Sequence, residues 1–275
     1  MNTKLNHKQT IATIFTLALT CWSGLTVGQT SAYDSAANTS TSSERDHATN
    51  ANRHVDAAVN VVHRMESESG MDKMLQQAKG IFIVPNYGRA ALVVGAAGGS
   101  GVLLVKHGAT WSDPAFYTVG GISAGAQAGI EKGSITLILN SEKAVNNFTQ
   151  NNKFSMDANA GLTIINWSKT AERPVGRGDV VAWSDNKGLF GELAIGVTDI
   201  RFDAKQTSAY YQRNVAATDV LNGNVQNPQS MTLKQALVAA TAAATSSDHS
   251  LSETSKNQYG SLATTPTRND EKHSF

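Results

Sequence analysis

From residue 51 the apolar positions recur with a helical period. Val55, Ala58, Val59, Val62 and Met65 fall on one stripe, which predicts a helix. After a break at Gly70, residues 71–79 (MDKMLQQAK) predict a second, short one. The period then changes to short apolar runs bounded by Gly, Pro or Asn. Residues 81–85, 90–95, 101–106, 134–140, 161–166, 179–184, 188–196 and 199–203 read as strands. Between them, 141–150 (SEKAVNNFTQ) opens on a serine cap and predicts a helix. Further helices are expected over 205–215 and over 231–245, where Leu233, Leu237 and Ala240 share a face. Strands in series with helices at the two ends predict an α+β fold, with a mostly antiparallel, sandwich-like sheet body, N-terminal helices and a C-terminal helix.

The two ends of the chain break these patterns. Lys4 and Lys8 precede an apolar stretch, IATIFTLALTCW, and then small and polar residues, the order of a secretory signal peptide with a cut after Ala32. Residues 33–50 are polar and patternless and read as a flexible linker, and residues 245–275 as a disordered tail. The intervening 51–244 form the expected domain. An exported, periplasmic or envelope-associated protein follows, with a lipoprotein anchored at Cys21 as the alternative. Residues 1–32 hold two of the 23 basic residues and no acid, so the rest carries 21 basic against 22 acidic residues. That balance argues against nucleic acid as a partner. Cys21 is the only cysteine, so no disulfide is expected. The histidines show no metal-ligand spacing, and neither metal nor cofactor is expected.

One motif could carry chemistry. GGISAGAQAG (120–129) contains the G-x-S-x-G pattern of a hydrolase nucleophile, at Ser123. A nucleophile elbow requires a helix after the serine, and here Gly125, Gly129 and Gly133 follow. The later histidines, His249 and His273, lie in the low-complexity tail. Read with period 2, Gly121, Ser123, Gly125, Gln127 and Gly129 take one side, and Ile122, Ala124, Ala126, Ala128 and Ile130 the other. This predicts a half-buried strand with an apolar core face and a nearly bare face open to a second layer or a ligand. A serine hydrolase remains the lesser alternative.

The neighbours of that strand carry a family resemblance. Ala78-Lys79-Gly80, Pro85, the turn from Gly98 to Gly101, the run Trp111-Ser112-Asp113-Pro114-Ala115-Phe116-Tyr117, Gln127 with Gly129, Lys187-Gly188-Leu189-Phe190 and Tyr210-Tyr211 occur in order between about residues 53 and 240. Together they resemble the SYLF domain family, a lipid-binding domain linked to actin in some eukaryotic relatives. The resemblance implies phospholipid binding without enzymatic activity. Bacterial members look like exported envelope proteins, so no actin partner is expected. An envelope protein partner, bound by a structural scaffold, is the alternative to lipid.

Candidate contact residues follow from the local patterns. GAAGGSG (95–101) lacks the ending of a phosphate loop and reads as a hairpin loop. Centred on Gly98, that hairpin pairs Ala90 with Lys106 and Arg89 with His107. Arg89, Lys106, His107 and nearby Lys79 would then form a basic patch for lipid headgroups; ordinary solvated strand ends are the alternative. Trp111, Phe116 and Tyr117 around the Asp113-Pro114 turn could meet an interfacial lipid layer or plug one end of the core. Gly121, Gly125 and Gly129 mark the bare strand face. The helix from 51 mixes acids and bases on its polar side, which favours packing on the sheet over lying on a membrane.

Overall fold

A computed structural model of the chain describes residues 32–91, 94–124, 129–151, 153–157, 159, 161–164, 178–189, 193 and 196–242. The chain divides into two units, 1–40 and 41–275. The described part of the first, 32–40, is helical and opens α1 (Ala32–Glu66). Residues 33–50, expected as linker, are therefore helix. They contain neither Gly nor Pro, so nothing in them breaks a helix. α2 (Met71–Gln77) follows. The signal-peptide, Cys21 and tail expectations lie outside the described residues.

The strands are β1 (Gly80–Ala91), β2 (Val94–His107), β3 (Thr110–Trp111), β4 (Ala115–Ala124), β5 (Gly129–Leu139), β6 (Lys153–Met156), β7 (Leu162–Ile164), β8 (Val180–Ser184) and β9 (Val197–Phe202). They form one sheet in the order β6-β9-β4-β2-β1-β5-β8-β7, with β3 paired to β2. Every pairing is antiparallel except β7 with β8. The remaining helices are α3 (Glu142–Gln150), α4 (Ala204–Tyr211), α5 (Ala217–Leu221) and α6, residues 231–242. The fold is α+β. The cap of α3 forms as its sequence dictates, with Ser141 accepting from the Ala144 N–H at 3.1 Å, an interaction of about 1 kcal/mol.

None of the described residues of the strand expected over 188–196 is in a strand. In 188–196, Lys187–Leu189 make a 3-10 turn and Leu193 is helical. Leu189 and Leu193 are buried. The apolar run there reports burial, which a buried turn satisfies as well as a strand does.

Strand alternation assigns the two faces of the sheet. Phe82, Leu103 and Ala115 are in register, so they share a face with Tyr117, and Phe116 lies on the other. On the first face α3 inserts Phe148, whose ring centroid is 5.2 Å from both Phe82 and Tyr117. The buried Tyr117 hydroxyl donates to the Phe148 carbonyl at 2.8 Å, and burial raises its pKa. On the second face Phe116 meets Tyr210 of α4 at 5.1 Å. α1 covers this face too: Arg64 donates to the Ser134 hydroxyl at 3.3 Å and pairs with Asp185 at 3.1 Å.

α1 and α4 are joined by His54 and Gln206, whose Nδ1 and Nε2 lie 2.7 Å apart. Gln206 Nε2 is a donor, so Nδ1 must accept and the ring must be neutral. Burial, then the Arg53 charge, lowers the His54 pKa below 6.5, against a smaller opposing effect of Asp203. With the folded pKa below the unfolded one, the unfolded chain binds the extra proton first. The stabilisation is therefore complete above about pH 6.5 and is lost as pH falls through that value towards the folded pKa. Urea midpoints should fall between pH 7.5 and 5.5, and His54→Gln should flatten the dependence. An unchanged slope in the variant would remove His54 from this role.

Candidate functional site

Four central strands run past the region that the helices cover. β1 and β2 pair from Gly88↔Gly98 to Ala91↔Gly95, β2 and β4 from Gly98↔Gly120 to Val94↔Ala124, and β1 and β5 from Gly88↔Lys132 to Ala91↔Gly129. Two rows of side-chain positions result on the face that α1 covers farther along. The inner row is Gly120, Gly98, Gly88 and Lys132. The outer row, among the residues whose side chains are described, is Ala96, Ala90 and Ile130. Ala90 and Ala96 are exposed, and Ile130 is 74% exposed, a high value for so large an apolar side chain. Parity ties these rows to the helix-covered face: Lys132 is two residues from Ser134, which Arg64 of α1 contacts.

The opposite face of the same four strands is occupied. Thr198 of β9 stands over Gly121, where an added Cβ would meet its hydroxyl at 2.2 Å. Asn186 donates to Glu131 at 3.1 Å and to the Lys132 carbonyl at 2.7 Å. Ala97 and Tyr87 are buried there. The sheet end is thus packed on one side and presents an apolar surface on the other. In width it spans four strands at about 4.8 Å, and in depth two rows at about 6.8 Å, roughly 300 Å².

The expected basic patch is not assembled. Ala91 pairs with Gly95, so the chain reverses between β1 and β2 before Val94 rather than at Gly98, and GAAGGSG is strand. The Lys106 N–H consequently bonds the Lys79 carbonyl at 2.8 Å, while Arg89 faces Ala97 and Glu131. Arg89 is ten residues along β1 from Lys79, about 30 Å. Lys106 donates to the Gln76 and Leu75 carbonyls at 2.6 and 3.4 Å, closing the end of α2, and lies 5.8 Å from the Trp111 ring centroid. Burial, then Lys79, lowers its pKa. Lys79 pairs with Glu142 at 3.6 Å, and His107 Nε2 lies 2.7 Å from the Leu221 carbonyl. Lys106 and His107 hold helix ends.

Trp111, Phe116 and Tyr117 are buried and belong to the core, leaving no aromatic surface at that turn. Gly121 lies beneath Thr198, Gly129 is open with no atom near an added Cβ, and Gly125 lies outside the described residues. Ser123 pairs with Gly95 inside β4, in strand rather than at an elbow. The ten-residue strand expected there is two: β4 ends at Ala124 and β5 begins at Gly129, on opposite sides of the β1–β2 pair. Ile130, expected to face the core, faces out instead, because the helices stop short of it. Among the described residues no metal-ligand cluster occurs, and no helix is long and apolar enough to cross a membrane.

Comparison with known sequences fits the glycine-rich sheet. The Ysc84 (SYLF) family profile, described as Las17-binding protein actin regulator, matches residues 120–240. Over these residues the chain is similar to the SYLF family. Protein YSC84 of Saccharomyces cerevisiae is 29% identical over 161 residues, 56% of this chain and 34% of that protein. LAS seventeen-binding protein 3 of the same species gives 29% over 161 residues, 56% and 35%. SH3 domain-containing YSC84-like protein 1 of Xenopus laevis gives 26% over 175 residues, 60% and 52%. The chain spans about a third to a half of the length of these relatives. The family match begins at Gly120 of the inner row and takes in Ile130 and Lys132, while Gly88, Ala90, Ala96 and Gly98 precede it.

Proposed function

We propose that the chain is a non-enzymatic lipid-binding module, exported to the cell envelope, that docks on a phospholipid bilayer through the open end of its sheet. The observation that carries this reading is the outer row of Ala96, Ala90 and Ile130, exposed on a face whose reverse side is packed. A contiguous apolar face rather than a scattered residue marks an interaction surface. Its roughly 300 Å² is far below the ~800 Å² per partner of a stable protein interface, but is enough to seat a shallow wedge 5–10 Å deep at a bilayer's headgroup boundary, about the depth amphipathic helices reach. Export is proposed from the basic, apolar, then small-residue order of residues 1–32. The lipid chemistry is that implied by the SYLF resemblance.

The test is flotation of the full chain with phosphatidylcholine vesicles, wild type against Ile130→Asp. Removing a buried isoleucine contact of about 2 kcal/mol should weaken binding about thirtyfold. The side chain is exposed in the free protein, so the unfolding midpoint should stay within about 0.5 kcal/mol of wild type. Equal flotation of both proteins would refute this surface. Failure of the wild type to float, with a dimer in sedimentation that Ile130→Asp dissociates, would make the face a self-association site instead.

A further inference from the structure

We infer that Lys132 gives the bilayer-docking end a preference for anionic phospholipid; this rests on the membrane reading above. Of the seven described positions in the two rows, Lys132 is the only charged one. It is exposed and sits on the same face as Ile130, two residues nearer the body, about 6.8 Å along the strand. With Ile130 at the acyl boundary, the lysine stem lies along the apolar surface and its ammonium reaches the height of the phosphates.

The neighbouring charges leave that ammonium available. Glu131 points to the opposite face, where Asn186 holds its carboxylate at 3.1 Å. Asp185, the next acid inward, accepts from the Ser134 N–H at 2.7 Å and is paired with Arg64 at 3.1 Å. Among the described residues no carboxylate is in ion-pair range of Lys132. The other three positions of its row are glycines, and an added Cβ at Gly88 would meet nothing within 4 Å. No side chain on β1 therefore stands between the ammonium and a headgroup. This cation is distinct from Lys79, Lys106 and His107, which pair with a carboxylate or lie against helix-end carbonyls.

The experiment compares binding of the full chain to vesicles of phosphatidylcholine alone and of two parts phosphatidylcholine to one part phosphatidylglycerol. Lys132→Gln should lose about fivefold in affinity for the mixed vesicles, the equivalent of about 1 kcal/mol. It should be unchanged on phosphatidylcholine. Lys132→Arg should retain the preference. Lys205→Gln, which removes the same charge from exposed α4, should also retain it. High salt should erase the wild-type preference. If both glutamine variants lose equally, net charge rather than position is responsible and the inference fails. Equal wild-type binding to both vesicles overturns the inference but leaves the membrane reading standing. Binding to neither overturns both.

Discussion

Replacing Asp113 by alanine is expected to destabilise the protein by about 3–5 kcal/mol, the range for stripping one partner from a buried ion pair. Asp113 is 2% exposed and pairs with Lys234 of α6, whose Nζ lies 2.8 Å from Oδ2. Its Oδ1 accepts from the Asn227 N–H at 2.8 Å and from the Ser230 hydroxyl at 2.6 Å. One carboxylate thus anchors the segment leading into α6 and α6 itself to the turn before β4. Without it, a partly buried ammonium, a buried hydroxyl and a backbone N–H lose their acceptor together. Lys234→Met should cost less, because the two Oδ1 bonds survive and the lysine is 29% exposed. Urea unfolding of the two single variants and the double one measures the coupling. A loss below about 1 kcal/mol in Asp113→Ala would show that the pair is not holding α6.

Asp113 was legible only as a turn residue before Pro114. Its three donors come from 114 to 121 positions later in the chain, and no local pattern records such a distance. Local signals served well where the physics is local. The Ser141 cap and the stripe of α1 need only neighbours within a turn or two. The β1–β2 hairpin failed for the converse reason. AALVVGAAGGSG carries neither alternating polar residues nor an Asn-Gly type turn, and a strand of small residues specifies its register weakly. Placing the turn at Gly98 rather than between Ala91 and Val94 moves Lys106 from beside Lys79 to beside Ala90 and creates a basic patch that does not exist. The period-2 reading put Gly121 and Gly129 on one side and Ile130 on the other, as the register of β4 and β5 does. It could not say where the helical cover ends, since that depends on the packing of α1 and α4. From its sequence the exposed side of the candidate site therefore reads as core.

The glycines that hid the register also shape the surface, and they divide into two kinds. β1 carries a bulge between Val84 and Tyr87, which shifts its pairing with β5. The β1 backbone leans over β2 in that region. A Cβ built on Gly101 would stand 2.3 Å from the Ile83 carbonyl oxygen and 2.8 Å from Val84 Cγ2. One on Gly99 would stand 2.7 Å from the Asn86 carbonyl oxygen. Backbone cannot swing aside as a side-chain tip can, so Gly101→Ala forces the bulge itself to move. A cost of about 3 kcal/mol is expected, at the upper end for overpacking. Gly88 is the opposite case: an added Cβ there has open space. Gly88→Ala should stabilise by about 0.5–1 kcal/mol, as a strand residue with less freedom to lose. Urea midpoints of the two variants should therefore move in opposite directions from wild type. If Gly101→Ala is tolerated as well as Gly88→Ala, then the bulge does not crowd β2.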